Sequence, residues 1–306
     1  MSARTYEFVQ LDVFTQTPLS GNPLAIFADA SGLSDAEMQA LAREMNLSET
    51  TFIFPRDAAT EARDGKKVRI FTVEQELPFA GHPTLGTALY LYASEPNPKE
   101  PAEIILDLKA GKIPVRFTAS SESAGQRVDG HVFGEMRQRD PEFGTPLSRE
   151  EIARVIGIAD DEISREWPIQ PVSTGLTFTI VPFRNRQTLS DLKFSYIQAA
   201  EFLKQSGANF FYFLCPERRE GRLEARARMF FYGGEDPATG SAAGCAASWI
   251  VQHGVAKNDE QVVIRQGDEC RRPSEMHVRA TREGGRVSNV RVGGYAVEIL
   301  RGTVVL

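Results

Sequence analysis

The apolar and polar positions of this chain fall into many short runs of alternating or continuous apolar character, the pattern of strands. Strands are expected over Tyr6 to Phe14, Leu24 to Phe27, Thr50 to Phe54, Val68 to Val73, Ile104 to Leu108 and Ile113 to Phe117. They continue over Thr177 to Phe183, Phe210 to Leu214, Arg226 to Phe231, Val262 to Arg265, Val287 to Val292 and Ala296 to Val305. Helical patterns are fewer. Ser34-x-x-Glu37 and Ser148-x-x-Glu151 are capping boxes that open helices to about Asn46 and Ile156. Further helices are expected after Pro83, after Pro237 and over about Tyr196 to Gln205. Strands and helices do not alternate as βαβ units do, so the pattern predicts an α+β fold rather than a doubly wound parallel sheet.

The Ser-, Ala- and Gly-rich stretch Thr118 to Gly130 reads as a linker just short of the midpoint, and the two halves it separates repeat one another. His82-Pro83-Thr84-Leu85-Gly86-Thr87-Ala88 aligns with Asp236-Pro237-Ala238-Thr239-Gly240-Ser241-Ala242 at an offset of 154, which is 236 minus 82. The same offset sets Ser20-Gly21 on Thr174-Gly175 and Ile26 on Ile180. Between these blocks the offset is 159: Met38 falls on Ile197, Glu49 on Ala208, Phe52 on Phe211 and Arg69-Ile70-Phe71 on Arg228-Met229-Phe230. Four blocks in one order indicate duplication.

Proline suits the first helical position, where its missing N–H would be unpaired in any case, so His82 and Asp236 are expected as N-caps. A helix start carries free N–H groups and the positive end of the dipole, and therefore holds carboxylate or phosphate. Alone, such a motif describes a well-capped helix. Two related copies make a ligand site the stronger reading, with His82 and Asp236 as an asymmetric acid/base pair. Glu49, between a helix end and a strand, adds an ionisable group that only the first half carries.

Composition narrows the chemistry. The chain has 306 residues, 42% hydrophobic and 25% charged, with a net charge of −6. That is ordinary globular usage, long enough for two domains of roughly 150 residues, and its bulk charge does not invite nucleic acid. No apolar run approaches the length of a membrane span and no signal-like segment follows Met1, so a cytoplasmic chain is expected. Cys215, Cys245 and Cys270 form no zinc or redox spacing, and neither a phosphate loop nor a Gly-x-Ser-x-Gly elbow is present. His131, His253 and His277 lack neighbours at ligand spacing, and Glu74 and Glu76 read as a solvated face. No metal or cofactor is expected.

Several blocks together resemble the phenazine-biosynthesis isomerases, the PhzF-like family within the diaminopimelate epimerase superfamily. They are Asp12-Val13-Phe14-Thr15, Gly21-Asn22-Pro23-Leu24-Ala25, Asn46-Leu47-Ser48-Glu49-Thr50, Pro78 to Ala88, Gly234 to Ala242, Gln266-Gly267 and Arg272-Pro273-Ser274. The resemblance runs nearly end to end. It implies two pseudo-symmetric domains, each a curved, mostly antiparallel sheet around a central helix, with the active site in the cleft between them. The expected division is 1–122, completed by about 293–306, and 123–292.

The resemblance further implies a cofactor-free homodimer in which the catalytic glutamate falls on Glu49 and other polar site residues on His82, Asp236 and Ser241, with backbone amides near Gly81 and Gly240. The implied reaction is isomerisation of a small carboxylated, cyclic unsaturated molecule such as trans-2,3-dihydro-3-hydroxyanthranilate. One mobile carboxylate, its pKa raised by partial burial, would move a proton along one face. Two readings compete: an epimerase or racemase of a small amino or hydroxy acid, and a non-catalytic small-molecule binding protein. Two-thiol racemisation is disfavoured, because Cys245 lies nine residues beyond Asp236 and the other cysteines lie outside both motifs.

Overall fold

In a computed structural model of the chain, the structure describes residues 3–95, 103–118, 128–232 and 234–306. The expected boundary at 122/123, and most of the expected linker, lie outside the described residues. The chain forms two compact units, one built from Met1–Arg137 with Gly293–Leu306 and the other from Gln138–Val292.

The first unit contains β1 (Thr5–Val13), β2 (Asn22–Phe27), α1 (Asp35–Met45), β3 (Glu49–Phe54), α2 (Ala58–Asp64), β4 (Lys66–Phe71), β5 (Glu76–Leu77), α3 (Gly81–Ser94), β6 (Glu103–Leu108), β7 (Gly111–Thr118) and β8 (Phe133–Arg137). The second contains β9 (Glu142–Phe143), α4 (Arg149–Ile156), β10 (Gln170–Ser173), β11 (Thr177–Pro182), α5 (Arg186–Asp191), α6 (Tyr196–Ser206), β12 (Phe210–Arg219), β13 (Arg222–Phe231), β14 (Gly234–Glu235), α7 (Gly240–Gln252), β15 (Val262–Gln266), β16 (Ser274–Glu283) and all but the last two residues of β17 (Arg286–Gly294). The last strand, β18 (Ala296–Val305), pairs antiparallel with β1 from Val13↔Ala296 to Thr5↔Val305.

The two units share one pairing scheme. In the first, β1 is antiparallel to β2, β2 parallel to β3, β3 antiparallel to β4, and β4 antiparallel to β5 but parallel to β6, which is antiparallel to β7. In the second, β10, β11, β12, β13, β14, β15 and β16 repeat those relations in the same order. Most pairings are antiparallel, and the fold is α+β as the strand pattern predicts.

The ladders also correct the repeat. Phe27↔Phe52 and Phe52↔Arg69 in the first unit correspond to Val181↔Phe213 and Phe213↔Arg228 in the second. Phe52 is therefore equivalent to Phe213 rather than Phe211, and Glu49 to Phe210 rather than Ala208. A slip of two residues keeps every side chain on its own face, so apolar alternation alone does not reveal it.

Each unit is layered around a helix. α3 packs against β1, β2, β3, β6 and β8, and α7 against β10, β11, β12 and β16. On the far face of the first sheet, Phe27 stacks on Phe52, Phe52 meets Phe71 edge to face, and the three close a core with Met38, Leu41 and Ala42 of α1. On the corresponding face of the second, Val181, Phe211 and Phe213 pack with Ile152, Ala153 and Ile156 of α4 and Ala199 and Leu203 of α6. Both capping boxes start helices where expected: Ser34 and Glu37 cap each other's backbone N–H, and the Ser148 side chain accepts from the Glu151 N–H.

Neither central helix starts as the sequence suggests. α3 begins at Gly81 after an Ala80 N-cap, so His82 and Pro83 are its second and third residues. α7 begins at Gly240 after a Thr239 N-cap, so Asp236 and Pro237 precede it. Pro83 is tolerated because none of the first four N–H groups of a helix has an intrahelical partner. In the second unit Gln266 Nε2 donates to the Asp236 carbonyl at 2.7 Å, occupying the acceptor that an earlier helix start would need.

Several elements are not expected from the sequence, β5, β8, β9 and β14 among them. β10 and α5 are short and α2 has no buried residue, whereas β16 alternates in burial but carries many charged side chains. The β12–β13 hairpin extends past the expected strand ends through charged residues to a turn at Glu220 and Gly221, both at positive φ.

A second duplicated feature is ionic. Arg69 Nε and Nη2 donate to Glu76 at 2.8 and 3.0 Å, and Arg228 Nε and Nη2 donate to Glu235 at 2.7 and 2.8 Å. The guanidinium groups lie over Phe71 and Phe230. Glu76 is thus a half-buried partner rather than part of a solvated face. Arg69 uses its remaining nitrogen on exposed Asp35, whereas Arg228 Nη1 donates to the Leu189, Ser190 and Leu192 carbonyls. Arg228→Met, which takes the donor away from the half-buried Glu235 carboxylate and from the Ser190 and Leu192 carbonyls, should cost about 3–5 kcal/mol in urea unfolding. Arg69→Met should cost only about 1 kcal/mol. Equal losses would mean that the carbonyl contacts contribute nothing.

Candidate active site

In the first unit, three polar side chains meet at the start of the parallel pair β2–β3. Gly21, at φ +70, lies where an added Cβ would come within 2.4 Å of the Val13 carbonyl oxygen, so the chain can turn tightly there into Asn22. Asp12 steadies the same loop by accepting from the Leu19 N–H at 2.7 Å. Asn46, left-handed at φ 51, ends α1 and returns the chain to β3, whose first residue is Glu49. In register, Glu49 pairs with Leu24, two residues beyond Asn22.

His82, in the first turn of α3, completes the group. Its Nδ1 lies 3.6 Å from Glu49 Oε2 and 3.3 Å from Asn22 Nδ2. Glu49 keeps 16% of its side-chain surface and His82 4%. Burial pushes the imidazole down to about 3, against a smaller opposite pull from the Pro23 carbonyl. The nearby Glu49 carboxylate also favours a proton on the ring, but desolvation dominates and His82 is neutral at pH 7. Nε2 is buried and has no hydrogen-bond partner among the described residues.

In the second unit, buried Asp236 sits in the turn ahead of α7, where its Oδ2 accepts from Thr239 Oγ1 at 2.5 Å. Gly240 and Ser241 are the first two residues of α7 and are buried. The Gly240 carbonyl accepts from Gln138 Nε2 at 2.9 Å, and Gln138 Oε1 accepts from Thr174 Oγ1 at 2.7 Å. Cys245, further along α7, lies 3.5 Å from Thr174 Oγ1, and burial pushes its thiol up to about 11. A thiol of that basicity is not a ready proton acceptor at neutral pH.

The structure therefore brings Glu49 and His82 together within the first unit, with Gly81 beside His82. It groups Asp236, Gly240 and Ser241 within the second. His253 bonds Gln170 and His277 bonds Gln261, both outside these groups. Sequence reasoning passed over Asn22, Thr239, Tyr212 and Gln266. Asn22, Thr239 and Gln266 lie inside blocks that carry the resemblance, but buried polar contacts between distant strands leave no periodic signal. Among the described residues no helix is long and apolar enough to cross a membrane.

The family model described as phenazine biosynthesis-like protein, PhzC-PhzF, matches residues 11–302. The chain belongs to this family. It is 36% identical over 306 residues to trans-2,3-dihydro-3-hydroxyanthranilate isomerase of Pseudomonas chlororaphis, an alignment covering 98% of this chain and 100% of the relative. A solved structure described as a predicted epimerase from Pseudomonas aeruginosa is 34% identical, with a TM-score of 0.81 over 98% of this chain and 99% of that one. A hydroxyproline epimerase from Agrobacterium vitis is 12% identical with a TM-score of 0.68, covering 100% of this chain and 93% of that one, and shows the fold alone. The PhzC-PhzF fold is thus shared with epimerases.

The neutral His82 has a measurable consequence for this family member. In the unfolded chain a histidine takes up a proton below about pH 6.5, whereas the folded protein resists doing so until about pH 3. The unfolded state binds more protons across that window, so stability present above pH 6.5 should be lost as pH falls. Urea unfolding should show wild type losing up to about 1.4 kcal/mol per pH unit more than His82→Gln between pH 6 and pH 4. Parallel slopes would mean that the folded ring is already charged.

Proposed function

We propose that the protein is a cofactor-independent isomerase that shifts a proton within a small carboxylated, cyclic unsaturated substrate of the trans-2,3-dihydro-3-hydroxyanthranilate kind. The observation that carries this reading is the Glu49–His82 contact, a half-buried carboxylate beside an imidazole kept neutral by burial. Glu49 removes a proton from one carbon and returns it to another along the conjugated system, on the same face. The neutral imidazole lies beside the carboxylate without neutralising it. Asp236 and Ser241 serve the same reaction by binding the substrate's polar groups, and the backbone amides near Gly81 and Gly240 hold its carboxylate.

Side-chain proton transfer suffices for this chemistry, so the reading calls for no cofactor. The 36%-identical isomerase of Pseudomonas chlororaphis supports the choice of substrate class. The protein acts as a homodimer in this reading, which sedimentation at assay concentration would test.

Glu49→Gln keeps the size and hydrogen bonding of the side chain but removes its exchangeable proton, so substrate binding should persist while turnover falls by about 10² to 10⁴. Asp236→Asn and His82→Ala should weaken binding along with rate. Reaction in deuterated water, followed by proton NMR, distinguishes the alternatives: hydrogen migrating within the product supports isomerisation, exchange with inversion at one carbon indicates epimerisation, and no exchange indicates a binding protein. Near-normal turnover by Glu49→Gln would remove Glu49 as the proton carrier.

A further inference from the structure

Asp236 is held by a hydrogen-bonded chain whose direction can be read without seeing a hydrogen. Gln266 is 1% exposed, and backbone groups fix both ends of its amide. Nε2 lies 2.7 Å from the Asp236 carbonyl, which can only accept, and Oε1 lies 3.3 Å from the Thr239 N–H, which can only donate. The amide cannot be flipped. Tyr212 Oη, 3.0 Å from Oε1, must then donate to it. Nε2 also lies 2.9 Å from Thr239 Oγ1 and donates to it. Among the described residues the hydroxyl hydrogen of Thr239 has one acceptor left, Asp236 Oδ2 at 2.5 Å.

We infer that Tyr212, Gln266 and Thr239 are positioning residues that fix Asp236 Oδ2 as a hydrogen-bond acceptor and so favour the carboxylate form of Asp236. This deepens the proposed function, on which its bearing on catalysis rests. All donation runs from Tyr212 through Gln266 and Thr239 to Asp236. A proton on Oδ2 would leave the Thr239 hydroxyl hydrogen without an acceptor among the described residues, so the chain opposes protonation there. In the proposed reaction Asp236 accordingly works as a fixed anion that accepts from a substrate donor, leaving the mobile proton to Glu49.

The groups around Asp236 in its own unit are compatible with this assignment. From β12, burial and the Asp236 and Cys245 charges raise the Tyr212 phenol well above its ordinary value, keeping it a donor. From the turn after β15, burial together with Glu235 and Asp236 pushes the Cys270 thiol up to about 11. Glu235 of β14 is engaged by Arg228 of β13. Gly267, at φ +90, lets the chain pass where a Cβ would meet the Arg272 and Pro237 carbonyls at 2.3 and 2.6 Å, which keeps Gln266 in place.

The test is the carboxyl ¹³C titration of Asp236, assigned with Asp236→Asn, in wild type, Thr239→Val and Thr239→Ser. Loss of the donor should raise the Asp236 midpoint by roughly one pH unit or more in Thr239→Val, and Thr239→Ser should bring it back near wild type. A Thr239→Val midpoint equal to wild type, or no rescue by serine, overturns the inference. Wild type supplies a readout that no folding defect can obscure. The Gln266 side-chain amide protons should be protected from exchange with solvent water, and exchange as fast as that of an exposed glutamine also overturns it. Turnover separates the two readings: if Asp236→Asn isomerises normally while Thr239→Val still shifts the titration, the chain of donors stands and the role of Asp236 in the reaction falls.

Discussion

A helix enclosed on every side by its own sheet must present almost nothing where the strands press closest, and that requirement organises both units. Residues from Gly81 to Leu89 of α3 and from Gly240 to Val251 of α7 are buried without a break. A Cβ on Gly86 would lie 2.7 Å from Leu24 and Val13 side-chain carbons, and one on Gly244 would lie 1.9 Å from Gln138 Oε1. Close packing of this kind hides the helix starts from bulk solvent, so their unpaired N–H groups depend on side chains or a ligand. The polar residues gathered there answer that requirement as much as they answer any chemistry.

The two units meet the same requirement differently. At α3 the helix starts early, and Thr84 Oγ1 donates to the Ala80 carbonyl at 2.6 Å, while Thr51 and Thr87 bond each other at 2.9 Å across the sheet–helix contact. At α7 the start is delayed, and a glutamine from β15 ties down the preceding turn. Duplication gave both halves the same ladders and the same Arg–Glu pair beneath an aromatic ring. The departures are concentrated at the helix starts, where one half carries a buried imidazole and the other a carboxylate with a dedicated donor.

How much of this could be read from residues alone depended on whether a feature was local or periodic. Capping boxes are local, and Ser34 and Ser148 identified their helices. Apolar alternation is periodic, and it located most strands. The repeat was legible because the block around Gly86 and Gly240 permits few other residues. Register was not, since the two-residue slip that equates Glu49 with Phe210 preserves every inward and outward face. The helix starts were misplaced because a proline fits any position of a first turn, and only Gln266, 30 residues downstream of Asp236, decides which is used. Glu49 and His82 stood out by residue type, whereas Asn22, Thr239 and Gln266 acquire meaning only through contacts made in three dimensions.

The charge state of His82 bears directly on what Glu49 can do. Two unit charges 3.6 Å apart attract by about 4–5 kcal/mol at an effective dielectric constant of about 20. A protonated imidazole at that distance would favour the charged form of the Glu49 carboxylate. A carboxylate so stabilised is a poor base toward carbon and surrenders its proton readily once it has one, the opposite of what a carrier must do in its first step. Burial of His82 removes that attraction while keeping the ring beside the carboxylate. The same close packing that demands small residues along α3 thus excludes the proton from His82, and in the proposed reaction that leaves Glu49 without a cation beside it.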